Sequence, residues 1–417
     1  MNPISHYFNL FYIFFFIIWT PLQLYYLKVD GAGNTVVALS VVALTWNFPA
    51  LWRQKHVLRS PAFLCWTVLV LFSFVNSMIK GYESEWGDWV FFKNNFVLPY
   101  IFLYVLIVEL DWDYDSCLKT LLYALLAYIL LCIGNMGLDE DERMVAEGLR
   151  NILPLHTTCL VFIGGLLFTQ QRLSTIFFWS IVVISIVITM VSGTRKALGA
   201  IIILIIGVVF SLDKGEERNL WHYIRLVLFF AVLYIGLSYV MGNTMIGDRL
   251  ADTAEESKVE FTESETANWF INNLLGDRSI HYDLGFGLFL THPITGIGIT
   301  NFRPLSGFPM RLHTEYMTQL CENGIIGFTL LILFYYLIFK KLVFLHREYG
   351  ENIIMILFGM FALLFLNITV WTYNQDFGMI YYGILITYVY ANYDDILIED
   401  NESEWYDEIE ETQTEGT

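Results

Sequence analysis

Three polar segments interrupt an otherwise apolar chain, and each holds a side chain able to manage charge or protons at a membrane boundary. The first, Ser192-Gly193-Thr194-Arg195-Lys196, lies between two apolar runs with almost nothing else to join them. A guanidinium costs roughly 2.5–3.5 kcal/mol at the centre of a span and less near its end. Arg195 and Lys196 therefore read as serving a site, against the plainer alternative of a basic pair reaching for lipid headgroups. The second segment, Gly276-Asp277-Arg278, adds another guanidinium, although Arg278 taken alone is an ordinary loop arginine. The third is Arg311-Leu312-His313-Thr314-Glu315-Tyr316, in which His313 stands just before an apolar run. Neutral imidazole takes up a proton near physiological pH, as a general base must.

Around these residues lie groups better suited to building than to reacting. His292-Pro293 leads into a glycine turn, Gly296-Ile297-Gly298, and Arg303 follows. Beyond His313 comes Glu322-Asn323-Gly324-Ile325-Ile326-Gly327. Glu322 is expected to support or orient. Gly324 and Gly327 fall on one side of a helix and predict a small-residue notch for a neighbouring span. His292, before its proline turn, and His281 are expected to be structural.

The elements that must position these side chains are membrane spans. Apolar blocks fall near 8–27, 35–52, 61–79, 90–108, 118–137, 152–169, 175–191, 197–212, 222–242, 320–339, 352–371 and 377–393. Their length matches the roughly 20 residues a helix needs to cross a ~30 Å hydrocarbon core. Uniformly apolar runs predict helices, because barrel strands would alternate. The expected fold is thus all-α, a polytopic bundle of about twelve spans. Trp46, Trp52, Trp86, Trp89, Trp112 and Trp371 sit at block ends, where an aromatic interface belt forms. The first run, Phe8 to Leu27, lacks a preceding basic residue and a small-residue cleavage site, and is read as a retained span.

Lys and Arg set the orientation. With the N-terminus inside, cytoplasmic loops carry Arg53, Lys55, Arg59, Lys119, Arg172, Lys214, Arg218, Lys340, Lys341 and Arg347. Both ends are then cytoplasmic, and the three polar segments share the external side. Residues 1–242 hold nine spans, 243–315 form one long external loop, 316–393 hold three spans, and 394–417 form a tail. The loop opens with an acidic stretch at 251–265 and continues through Ile280, Leu284, Phe286, Leu288 and Phe289, expected to lie along the membrane surface.

Composition agrees with this organisation. Hydrophobic residues make up 56% of the chain and charged residues 15%, against roughly 25% charged in soluble domains. The formal charge of -18 is concentrated in the tail, where eleven acidic residues occur with no Lys or Arg, as in a solvated disordered extension. Such a balance excludes nucleic acid as a partner, since phosphate backbones need basic surface. Cys65, Cys117, Cys132, Cys159 and Cys321 form no CxxC pair and read as small buried apolar residues.

Together the polar segments resemble the O-antigen ligase and O-antigen polymerase superfamily of bacterial envelope glycosyltransferases. Arg278 followed by His292-Pro293-Ile294-Thr295-Gly296-Ile297-Gly298-Ile299-Thr300-Asn301-Phe302 is similar to that family's R…hPl-x-G-x-G-x-x-N-F stretch. His313-Thr314-Glu315-Tyr316-Met317, then Leu320, Glu322, Gly324 and Gly327, is similar to its H-N-x-Y-L-x-x-L-x-E-x-G-x-x-G stretch. The likeness is confined to about 192–327, and Thr314 stands where the family often has Asn or Ser. The resemblance implies a donor glycan on undecaprenyl diphosphate, with His313 as base and Arg195 and Arg278 at the diphosphate. Lys196, Arg303 and Arg311 are secondary candidates for phosphate or sugar contacts. It also implies a metal-independent reaction without cofactor. The expected setting is the bacterial inner membrane, with lipid A-core or a similar glycan as acceptor and membrane lipids as surroundings. A surface-polysaccharide polymerase would use the same donor, and transfer to protein is a third possibility. The rival from another class is a transporter of lipid-linked glycans, though no matching halves are visible. A substrate-binding structural subunit without activity is a weaker alternative.

Overall fold

The computed structural model describes residues 3–27, 33–53, 55–80, 93–138, 144–146, 152–192, 194–212, 279–299, 301–307, 312, 314–349, 353–373 and 375–391. Helices dominate them. They are α1 (Pro3–Pro21, continued by a π-helical turn Leu22–Leu27), α2 (Gly33–Asn47), α3 (Pro61–Lys80), α4 (Leu98–Trp112, entered through a π-helical turn Lys93–Val97) and α5 (Tyr114–Ile133). Then come α6 (Leu153–Thr169), α7 (Thr175–Val191), α8 (Arg195–Ser211), α9 (Ser279–Thr291), α10 (Phe302–Ser306), α11 (Glu315–Tyr349) and α12 (Ile354–Asn367). A final helix, α13, covers 376–391. A small antiparallel hairpin, β1 (Met136–Leu138) with β2 (Met144–Ala146), follows α5.

Four of these helical stretches, Pro3–Leu27, Pro61–Lys80, Tyr114–Ile133 and Glu315–Glu348, are long and apolar enough to cross a membrane, and shorter apolar helices accompany them. This is a helical membrane protein. The α3 helix shows why. Its inner face buries Phe63, Trp66, Leu69, Ser73, Asn76 and Ser77, while Leu64, Val68, Leu71, Val75, Met78 and Ile79 are exposed. Apolar side chains cover the outer face as well as much of the inner one, and Ser73, Asn76 and Ser77 turn inward, the reverse of a water-soluble helix and the arrangement lipid favours. Trp46, Trp52 and Trp112 are exposed at helix ends on the side where α2 leads into α3 and α4 ends, as an aromatic belt requires.

Packing inside the bundle is close because glycines meet aromatic rings. A Cβ on Gly359 of α12 would lie 2.2 Å from the Phe162 ring, and one on Gly207 of α8 would lie 2.4 Å from Cβ of Phe358. The α8 and α12 helices consequently pack along their lengths, with α6 beside both. Trp66 is wholly buried against Phe334, Tyr373 and Tyr382. All five cysteines are buried and free; Cys65 donates to the Leu330 carbonyl at 3.2 Å.

A polar cluster fixes α1, α2 and α4 to one another. Glu109 pairs with His6 and accepts from Asn9 at 2.9 Å, while Asn9 and Asn47 exchange side-chain hydrogen bonds of 2.9 and 2.8 Å. Asp113, between α4 and α5, caps α5 through the Ser116 amide at 3.0 Å. Burial works against its charge, but hydrogen bonds from Ser116 and the nearby His6 hold its pKa below the ordinary carboxylate value. On the same side, Asp115 bridges Lys119 and Arg172, each at 2.6 Å.

Several expectations fall outside the described residues: the ninth apolar run at 222–242, the acidic stretch 251–265, the tail 394–417, and Trp86 and Trp89. The stretch expected to lie on the membrane surface is α9. Its Leu284 and Leu288 pack on Ile297, Phe302, Leu312 and Cys321, while Phe286 and Leu290 are exposed.

Candidate functional site

The long helix α11 is broken near its start. Gly324 has φ 64° and ψ -164°, a conformation essentially reserved for glycine. The break exists because another strand of chain passes through it. A Cβ on Gly324 would lie 2.4 Å from the Ile294 carbonyl oxygen, and one on Gly296, itself at φ 71°, would lie 2.4 Å from the Glu322 carbonyl carbon. The two glycines thus allow two backbones to touch.

Hydrogen bonds close this contact from both sides. The amides of Ile297 and Gly298 donate to the carbonyls of Cys321 and Glu322 at 3.0 and 2.9 Å. In return, Ile325 and Ile326 donate to the carbonyls of Pro293 and Ile294 at 2.9 and 3.3 Å. The C-terminal end of α3 supplies a third wall. Asn76 donates to the carbonyls of Thr295 and Glu322 at 2.7 and 3.2 Å, and the Ser77 hydroxyl accepts from Ile299 at 2.9 Å. Glu322 is buried here. The glycine pair was expected to admit a neighbouring span. Instead Gly324 admits the 293–298 turn, and Gly327 leaves room for Asn323 of its own helix, whose Cβ would be 2.2 Å from an added methyl. The difference arises because the turn returns antiparallel to α11 before the chain enters it.

Among the sequence-predicted residues, Arg195 opens α8, although its side chain is outside the described set. Lys196 follows it and is half-buried. Arg303 lies exposed on α10. Arg278, Arg311 and His313 lie outside the described residues. So does the side chain of His281, whereas His292 is exposed and its Nδ1 meets the Thr291 hydroxyl at 2.9 Å.

The residues flanking position 313 are fixed. Leu312 is buried in the apolar cluster with Ile297, Phe302 and Cys321. The Thr314 hydroxyl accepts from the Met317 amide at 3.1 Å and caps α11. Asn and Ser are helix caps as well, so either could take this place in the local geometry.

Sequence reasoning passed over a set of buried polar groups between these segments. Glu315 is fully buried; its carboxylate accepts from Gln319 at 2.9 Å and from the amides of Thr372 and Tyr373, both at 2.8 Å. Three residues past Tyr373, Asp376 meets His156 at 3.1 Å. The His156 ring is fully buried, bonded through Nδ1 to the Ile152 carbonyl at 3.0 Å and stacked on Tyr128. Its neighbour Thr157 reaches Thr189 of α7 at 3.5 Å. The Thr189 carbonyl accepts from the Ser192 hydroxyl at 3.1 Å and from the Thr194 amide at 3.2 Å. Thr194 directly precedes Arg195. Two sets of contacts therefore lie between these segments, one from Glu315 to the Thr372 and Tyr373 amides and one from Asp376 through His156, Thr157 and Thr189 to Thr194. An ionisable residue inside an apolar run, as His156 is in 152–169, is the sequence signal by which this set could have been found.

Comparison with known protein families finds no family model that matches the chain, and comparison with curated proteins finds no match either. Among the described residues, no cluster of His, Cys, Asp or Glu is arranged to hold a metal ion.

Proposed function

We propose that this protein is a membrane glycosyltransferase of the O-antigen ligase type. It transfers a glycan from undecaprenyl diphosphate to an acceptor hydroxyl, of lipid A-core or a similar glycan, at the external face of the bacterial inner membrane. In this reading the chain has twelve spans with both termini cytoplasmic, and the end of the bundle carrying Asn76, Glu315 and Asp376 faces outward. The observation that supports it most is the convergence of the Arg195 turn and the segments around His313 on one end of the bundle, through Glu315, Asp376 and His156.

The chemistry follows from the residue types. Arg195 and Arg278 offer planar forked donors to diphosphate oxygens. As the bond between the anomeric carbon and the phosphate oxygen breaks, charge grows on the diphosphate, and fixed donors stabilise that state more than the ground state. His313 takes the proton from the acceptor hydroxyl while its oxygen forms the new bond to the anomeric carbon. Attack opposite the leaving group inverts that centre, and undecaprenyl diphosphate departs. Lys196, Arg303 and Arg311 add phosphate or sugar contacts.

The test supplies undecaprenyl-diphosphate glycan and candidate acceptors to wild type, H313A and R278A in proteoliposomes. Loss of a positioned donor is expected to slow transfer roughly 10²–10³-fold, and loss of the base about 10²–10⁴-fold. Transfer at the wild-type rate by both variants overturns the assignment.

A further inference from the structure

We infer that residues 368–373, which follow α12, and Asp376 at the start of α13 form a bridge that sets the spacing between the Arg195 turn and the His313 segment, with His156, Asp376 and Glu315 as its positioning residues. This rests on the proposed transfer reaction, in which those two segments hold the donor diphosphate and the base.

The bridge is anchored at both ends by buried side chains from other helices. At one end a single oxygen of Glu315 accepts the Thr372 and Tyr373 amides at 2.8 Å each, so α11 is tied to the backbone of the bridge rather than to a flexible side chain. Thr372 also donates to Asn367 at 2.6 Å and meets the Tyr382 hydroxyl at 2.8 Å, locking the bridge to α12 and α13. At the other end Asp376 pairs with His156 of α6 at 3.1 Å, and its second oxygen accepts the Phe377 amide at 2.9 Å. Both nitrogens of the His156 ring face oxygen acceptors, an arrangement that the doubly protonated ring satisfies fully. Thr372 and Asp376 are four positions apart in the sequence, roughly 13–14 Å of chain at most. His156 and Glu315 are both completely buried, and Asp376 is half-buried.

Neither His156 nor Glu315 is accessible to a substrate, so their effect is on geometry. A displacement of about 1 Å between a bound donor and its base costs on the order of 10²-fold in rate without abolishing donor binding. Removing an anchor should therefore lower kcat and leave the donor KM nearly unchanged. A role confined to stability would instead lower the amount of folded protein and leave kcat per folded molecule as it was.

The experiment uses the full chain in nanodiscs. Spin labels are placed at V191C, beside the Arg195 turn, and I294C, on the turn bonded to α11, both exposed positions, with the five buried native cysteines retained. H156A and D376A are expected to broaden the inter-label distance distribution. With undecaprenyl-diphosphate glycan as donor, they are expected to lower kcat about 10–100-fold and change the donor KM less than about threefold. D376N, isosteric with the native residue, replaces D376A if the latter does not fold. An unchanged distance distribution, or an unchanged kcat per folded molecule, overturns the bridge. Should the wild type transfer no glycan, the proposed reaction falls, and the distance distributions alone decide whether the bridge sets the spacing.

Discussion

Replacing Gly324 with alanine places a methyl group where two backbones touch. The added Cβ would lie 2.4 Å from the Ile294 oxygen, 2.5 Å from the Ile294 carbon and 2.6 Å from the Gly296 nitrogen, all main-chain atoms that cannot rotate away. The conformation at φ 64°, ψ -164° is itself costly for alanine, by about 1–3 kcal/mol. The chain has two ways out. It can keep the contact and bear both the strain and the overlap, the latter worth about 1–3 kcal/mol. Alternatively it can straighten α11 and expel the 293–298 turn. Expulsion loses the bonds made by Ile297, Gly298, Ile325 and Ile326. At about 0.5–1.5 kcal/mol each these amount to roughly 2–6 kcal/mol. Either route weakens docking of the turn by about 3 kcal/mol, a factor of roughly 100 in its opening equilibrium.

Amide hydrogen exchange reads this directly. In G324A those four amides should exchange about 100-fold faster than in the wild type, with the core of α8 and α12 unaffected. Gly307 provides the control. It also has positive φ, at 68°, but nothing lies within 4 Å of an added Cβ, so G307A carries the conformational cost alone. Its expected destabilisation is about 1 kcal/mol. If G324A and G307A give the same exchange pattern, backbone contact is not what requires glycine at 324, and the interlocked arrangement is wrong.

Further outcomes follow from the same contacts. T314A should destabilise the start of α11 by about 1 kcal/mol, whereas T314S and T314N should stay within a few tenths, as measured by thermal unfolding in detergent. E315A strips the Thr372 and Tyr373 amides of their acceptor and should cost at least about 2 kcal/mol, seen as faster exchange at those two amides. R172A removes one arm of a partly exposed ion pair with Asp115, so its stability change should stay below about 1 kcal/mol and shrink further in high salt.

Much of the helical framework was legible because apolar length is a one-dimensional signal. The runs at 61–79 and 175–191 coincide closely with α3 and α7. Errors came where polar residues have partners distant in sequence. The fourth run seemed to stop at Val108, yet α4 continues to Trp112, because Glu109 is buried against His6 and Asn9 from the opposite end of the chain. The run at 320–339 underestimated α11, which starts at Glu315 since that carboxylate finds amides more than fifty residues away. The candidate site was half legible. Gly296 and Gly324 were visible as a pattern, but their reciprocal fit depends on a loop folding back on a helix not yet made. His156 and Asp376 are 220 residues apart, and only the packing of α6 beside α13 makes them a pair.

The broken helix also bears on the choice between an enzyme and a transporter. Discontinuous helices in transporters expose half-helix ends, whose free amides or carbonyls bind the cargo near mid-membrane. Here the ends are already occupied. The first amides of the second half, Ile325 and Ile326, bond to Pro293 and Ile294, and the carbonyls of Cys321 and Glu322 in the first half bond to Ile297 and Gly298. With these two amides and two carbonyls bonded to the turn, the break resists separation of the pieces it joins. Such a break suits a fixed platform. A platform of this kind would hold groups at constant spacing, which is what the proposed transfer reaction demands.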